Sequence, residues 1–310
     1  MPIQKQRKIE ITILMRLPLK TPNHPSNMKI ISLPQDLNLT NTASIQLYDY
    51  RIYNSLLRSK ISLTKNTFSF LREGTKEVVA NDKPISIENN HFLIIKSGNC
   101  LMTETISNYQ KTYHSILLFF TDEMLLNFIE KYEFEFTNAK TINSFVVCEY
   151  DKYIKHFVQS LEHIHQLNQQ VQTQILKAKF EEIMVYLVQK EGKDFLNTLL
   201  NNQDDNSLRL TTIVENNKLK KLTLQELAFL CNMSVSTFKR AFIKHYEETP
   251  IKWFQNKRLE HAAFLLRTQK NRPIEIFEAA GYDNFSNFVQ AFKKKYGNTP
   301  KQFQLQEMNF

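Results

Sequence analysis

The side chains with the most chemistry to offer lie in the last third of this 310-residue chain. Between residues 218 and 310 stand sixteen lysines and arginines against eight acids, an excess of eight, and the whole chain carries only +9. The other two thirds is therefore close to neutral. Cations gathered in this way suit a polyanion-binding module joined to a module with another task. A solvated basic face gives the same count, so charge by itself leaves both readings open. Residues for bond-making chemistry are scattered. Cys100, Cys148 and Cys231 are far apart and form no C-x-x-C pair, so a reducing cytoplasm fits better than a disulfide framework. None of the five glycines sits in a phosphate-cradling loop. No nucleophile–base pair or pair of carboxylates stands out, so neither catalytic residues nor a cofactor is expected. His91 and His114 are isolated, and His163 and His165, two apart on an expected helix, point to different faces; no metal site is expected.

The elements that position the basic residues are visible as a repeat. Residues 236–250, STFKRAFIKHYEETP, align with 286–300, SNFVQAFKKKYGNTP, at an offset of 50. Eight of the fifteen positions are identical, where chance would give about one, so a structural unit is duplicated. Phe238, Phe242 and Tyr246 recur at i, i+4 and i+8, as do Phe288, Phe292 and Tyr296. Each set falls on one helical face and reads as core, with a polar and basic face opposite. Thr249-Pro250 and Thr299-Pro300 read as N-cap and first residue of a following helix. A short helix precedes each copy. The first opens on a capping box, Thr223 to Glu226, and turns near Asn232-Met233-Ser234. The second is expected over Ile274–Ala280, with Gly281 supplying the turn. Short helix, tight turn and longer helix make a helix-turn-helix, whose second helix enters the major groove of DNA. Between the units, Pro250–Thr268 is expected as a helix of about 28 Å, near the ~34 Å of one DNA turn.

These residues resemble the AraC/XylS family of bacterial transcription regulators. Residues 227–258 and 274–303 are similar to its two helix-turn-helix units, and Arg258-Leu259, Ala262 and Leu265-Leu266 to its linker helix. The resemblance places base-reading positions at Ser236, Lys239 and Arg240 in the first unit, and at Phe285, Ser286, Val289 and Gln290 in the second. Lys239 and Arg240 can donate to guanine O6 and N7, and Gln290 can pair with adenine N6 and N7. Ser234, Lys244, Lys293, Lys294 and Lys295 are better placed for phosphates, though any single lysine is as readily a solvated charge. Three departures stand out. Gln290, beside Val289, replaces the usual Arg, Glu247 replaces the usual Gly after the first recognition helix, and Phe277 replaces a small residue. The turn at Glu247 is expected to close differently, and the bulk of Phe277 has to be accommodated between helices.

The rest of the chain is expected as a second domain, making the fold α+β overall. Short segments rich in β-branched and aromatic residues between 45 and 120, from SIQLYDYRIY to YHSILLFF, are separated by turn signals at Gly74, Asn81-Asp82, Asn89-Asn90 and Gly98-Asn99. They predict a small sandwich or barrel. Thr121 predicts a helix start, and further helices are expected near 150–168 and 172–190, as a dimer seam or an intramolecular bundle. This arm resembles the family's cupin-like sensing and dimerisation domain, and FLREG and HFLIIKSG resemble members controlled by another protein. The expected division is 1–27 a flexible tail, with Met28 an alternative start, 28–202 the regulatory arm, and 207–310 the DNA-binding domain, with QDDNS at 203–207 between. No apolar run reaches the ~18 residues needed to span a membrane. The resemblance implies a cytoplasmic, nucleoid-associated regulator, read as an activator. Its partners are double-stranded DNA, RNA polymerase, a small-molecule or protein effector, and a second copy joined through the arm. An architectural DNA binder and a DNA-directed enzyme stay open beside it.

Overall fold

The computed structural model describes residues 29–39, 42–81, 83–134, 143–200, 206–268 and 272–308. The expected tail and most of the expected boundary at 203–207 lie outside them. Among the described residues ten strands form two five-stranded sheets. One sheet has the order β1 (Ile31–Leu33), β3 (Leu56–Leu63), β8 (Gly98–Thr105), β5 (Thr75–Val79), β6 (Ile85–Ile87). The other runs β10 (Phe145–Glu149), β7 (His91–Ile95), β4 (Asn66–Glu73), β9 (Tyr113–Phe120), β2 (Ile45–Ile52). All pairings are antiparallel except β1 with β3. The expected sandwich is thus present.

The second sheet is buried on both faces, which explains its unbroken apolar runs. Leu93, Ile95, Leu117 and Phe119 face the first sheet and pack with Ile61, Leu63, Val78 and Met102. Phe92, Ile94, Ile116, Leu118 and Phe120 face the other way, onto helices. Those helices are α1 (Asp122–Lys131), α2 (Lys152–Leu161), α3 (Gln169–Glu191) and α4 (Phe195–Leu200). Thr121 caps α1 as expected, accepting from the Met124 amide. The helix expected over 150–168 stops at Leu161, and a 3-10 turn at Ile164–Gln166 leads into α3. Ile154, Phe157, Val158 and Leu161 of α2 and Leu176, Phe180, Ile183, Met184 and Leu187 of α3 lie in one core with the sheet. Their apolar faces are spent within the chain, so the bundle reading holds and a dimer seam through those faces does not.

The last third is helical: α5 (Asn206–Asn216), α6 (Leu224–Leu230), α7 (Val235–Tyr246), α8 (Pro250–Thr268), α9 (Pro273–Ile276), α10 (Phe285–Tyr296) and α11 (Pro300–Met308). The linker α8 has the expected bounds. The helix expected over 274–280 keeps only one turn. After Ile276 the backbone mixes hydrogen-bond types, with Ala280 N to Ile276 O, Gly281 N to Glu278 O and Tyr282 N to Phe277 O. The chain is already tightening toward Gly281, at φ +81°. Phe277 is accommodated by turning edge-on to Phe285, with centroids 5.8 Å apart.

Candidate nucleic-acid interface

The first unit is α6 and α7. Thr223 and Glu226 form the expected capping box of α6. Asn232 takes a left-handed conformation at φ 57°, and the Met233 amide donates to Ala228 O at 2.9 Å, closing the turn. Ser234 then caps α7 by accepting from the Thr237 amide at 3.2 Å. Phe238 and Phe242 are fully buried, and Phe242 meets the Trp253 ring edge-on. With these rings inward, Ser236, Thr237, Lys239, Arg240, Ile243 and Lys244 are exposed on the opposite side.

The second unit repeats this plan. Asn284 occupies the place of Ser234 and accepts from the Ser286 and Asn287 amides at 2.8 and 3.3 Å. Phe288 and Phe292 are fully buried. Ser286, Asn287, Gln290, Lys293 and Lys294 are exposed. Both recognition helices end left-handed, Gly297 at φ 79° and Glu247 at φ 54°, with matching hydrogen bonds to Lys293 O and Ile243 O. The turn at Glu247 is therefore closed as a glycine would close it, contrary to expectation, by a residue that meets a steric penalty there.

The outward faces gather cations without an acid partner, and outside them Lys301 of α11 is also without one among the described residues. Among the described residues Lys239, Arg240, Lys244, Lys293 and Lys294 have no carboxylate partner. Lys218, Lys221, Lys252, Lys257 and Arg272 are all paired, Lys221 with Asp283 at 2.7 Å. Lys295 belongs with the paired group. Its Nζ donates to Asn256 O and Glu260 Oε1, both at 2.9 Å, so it is already engaged where Lys293 and Lys294 are not. Burial would raise the Glu260 carboxyl, but Lys295 and Lys257 outweigh this and hold it below its ordinary value. Five unneutralised cations on two helix faces is an arrangement that holds a polyanion.

The remaining expected site residues divide. Phe285 and Val289 are partly buried and pack on the core of the second unit, so little of either faces outward. The Ser234 hydroxyl is engaged by its own helix. Thr237 and Asn287 are exposed counterparts at the offset of 50 that the sequence reading passed over. The repeat alignment alone pairs them.

Among the described residues the arm meets the helical domain at α6 and at α5 with the segment that leads from it into α6. Val79 and Leu101 join the core of that unit. Arg58 Nη2 donates to Lys221 O at 2.6 Å and to Glu226 Oε2 at 3.0 Å. Asn99 Nδ2 donates to Phe229 O at 2.9 Å, and Asn216 Nδ2 to Asn81 O at 2.6 Å. Behind the second unit, Arg258 lies across Gly281, where an added Cβ would come within 2.7 Å of its Cδ and Nε.

Comparison with known proteins agrees with this division of labour. The ExsA N-terminal regulatory domain matches residues 66–198, and a helix-turn-helix domain matches 227–306. The virulence regulon transcriptional activator VirF of Yersinia enterocolitica is 29% identical over 132 residues, covering 42% of this chain and 49% of its own. The HTH-type transcriptional regulator ExsA of Pseudomonas aeruginosa is 26% identical over 123 residues, 39% of this chain and 44% of its own. The chain thus spans about half the length of the curated relatives it matches. Among solved structures, apo ToxT from Vibrio cholerae aligns over 86% of this chain and 98% of its own, at 12% identity and a TM-score of 0.39. With a regulatory domain matched ahead of a matched helix-turn-helix domain, the chain is similar in both parts to the AraC-type transcription regulators.

Proposed function

We propose that this chain is a sequence-specific DNA-binding transcription activator that reads the major groove with α7 and α10. The observation that carries the reading is the set of unpaired cations, Lys239, Arg240, Lys244, Lys293 and Lys294, on the outward faces of two duplicated helices. Ser236, Lys239 and Arg240 read bases in the first half-site, and Ser286 and Gln290 in the second. Lys244, Lys293 and Lys294 hold phosphates. Phe285 and Val289 contribute mainly to the core beneath. The arm receives the signal, from a small molecule or another protein, and the regulatory-domain match over 66–198 supports that role. A second copy and RNA polymerase are the remaining partners, and the nucleoid of the cytoplasm is the place of action. The domains divide as 28–202 and 207–310.

The test is to recover DNA fragments bound by the full chain in cells and derive their common site. Binding to that site should exceed binding to random duplex by at least ~10³ at fixed salt. Arg240→Ala should then cost about 1–3 kcal/mol at one base pair and relax the choice there. An equal loss on every duplex assigns Arg240 to phosphate. A wild-type chain with no preferred site is an architectural binder, and the proposal fails.

A further inference from the structure

On α7 one exposed residue is not polar. Ile243 is 47% exposed and stands apart from the apolar cluster that forms the core of the first unit. Its direction follows from helix geometry. Successive residues turn by roughly 100°, so Ile243, one heptad after Ser236, points within about 20° of it. Relative to Ser236, Lys239 lies about 60° to one side and Arg240 about 40° to the other. Ile243 therefore projects between Lys239 and Arg240, one turn further along the helix. Phe238 and Phe242 occupy the opposite, buried face.

The second unit makes the choice at this position specific. At the offset of 50, Ile243 corresponds to Lys293, and Lys239 corresponds to Val289. Each helix has a β-branched apolar residue where the other has a lysine. Val289 is partly buried and packs on its own core, whereas Ile243 is 47% exposed. An exposed isoleucine amid unpaired cations adds little to the fold where it stands. A surface made to hold a polyanion alone would carry a lysine there, as the second unit does.

The apolar group that an A·T pair, and no G·C pair, shows in the major groove is the thymine C5-methyl. Ile243 lies three residues beyond Arg240, about 4.5 Å along the helix axis, close to one base-pair step of about 3.4 Å. We propose that Ile243 is a specificity-determining residue that packs on a thymine methyl group next to the base pair read by Arg240. The proposal rests on the DNA-reading function above and extends it: the two half-sites are read by different chemistry, one partly through a methyl contact, the other through hydrogen bonds and charge.

The test uses the full chain and the site recovered from cells. Each thymine of the first half-site is replaced singly by deoxyuridine, which removes only the methyl group. One replacement should weaken wild-type binding about fourfold, the equivalent of one buried methyl. The same replacement should leave Ile243→Ala unaffected, while Ile243→Val keeps most of the response. Thermal unfolding of Ile243→Ala should match wild type, since the side chain is outside the core. The proposal is overturned if no replacement separates the two proteins, or if Ile243→Ala loses equally on site and random duplex. If the wild-type chain prefers no site, the DNA-reading function itself falls first, and that result is distinct from a preferred site without methyl dependence.

Discussion

Removing the Arg58–Glu226 contact should destabilise the first helix-turn-helix unit by an amount that neither residue predicts separately. The Glu226 side chain is 3% exposed, and its Oε2 accepts from Thr223 N at 2.7 Å, Thr223 Oγ1 at 2.9 Å and Arg58 Nη2 at 3.0 Å. Glu226→Ala loses the reciprocal half of the capping box, about 1 kcal/mol, and leaves the part-buried Thr223 amide unpaired, about 1 kcal/mol more. Arg58 is 41% exposed, so its ion pair is screened and adds at most about 1 kcal/mol. The total is about 2–3 kcal/mol. Arg58→Ala alone should cost about 1 kcal/mol, and less once Glu226 is alanine, when only its bond to Lys221 O remains to be lost. Trp253 is the only tryptophan and lies in the core of this unit, so urea unfolding followed by its fluorescence reads the quantity directly. Additive costs within ~0.3 kcal/mol would show that the two side chains do not interact in solution. The arm would then not grip α6 at this point.

Other expectations are simpler. Gly281→Ala should destabilise the second unit by more than about 1 kcal/mol, because alanine disfavours the left-handed backbone and its Cβ would strike Arg258; lost hydrogen-exchange protection across α10 is the readout. Glu247→Gly should stabilise the first unit by about 1 kcal/mol by relieving φ 54°, visible as a higher urea midpoint. No gain would mean the glutamate side chain compensates. Burial would raise the Asp151 carboxyl, but the Ile154 amide, Lys190 and the Tyr186 hydroxyl overcome this and bring it down to about 2. A depressed carboxylate stabilises the fold above its unfolded value near 4 and loses that contribution as pH falls toward 2. Asp151→Asn should therefore remove about 1 kcal/mol at neutral pH after screening and flatten the acid limb, as followed by circular dichroism.

The repeat was legible because Phe238, Phe242 and Tyr246, and their counterparts, obey the helical period and meet in cores built along that period. Strands such as β7 and β9 were legible as apolar runs. Strand β3 was not, since its polar residues blur the pattern and Arg58 sits at φ 51° where the register with β8 shifts. That departure from period two is what brings Arg58 to α6. Among the candidate site residues, side-chain type showed which could bond a base but not which were already engaged. Lys293, Lys294 and Lys295 are consecutive and chemically alike, yet the helical turn sends only Lys295 back to Glu260. Glu247 misled for a similar reason. A left-handed residue is usually glycine, but the hydrogen bond that closes the turn needs only the backbone.

Helix α8 forms a wall of two separate cores. Trp253 and Phe254 belong to the first unit, and Leu259, Ala262, Ala263 and Leu266 to the second. The rotational phase between the units is thus counted in residues along one rod. One residue inserted between Phe254 and Leu259 would swing the second unit by roughly 100° and push it about 1.5 Å further away. Such an insertion could leave each core packed while destroying their common alignment, so the length of this segment is constrained more tightly than its side chains are.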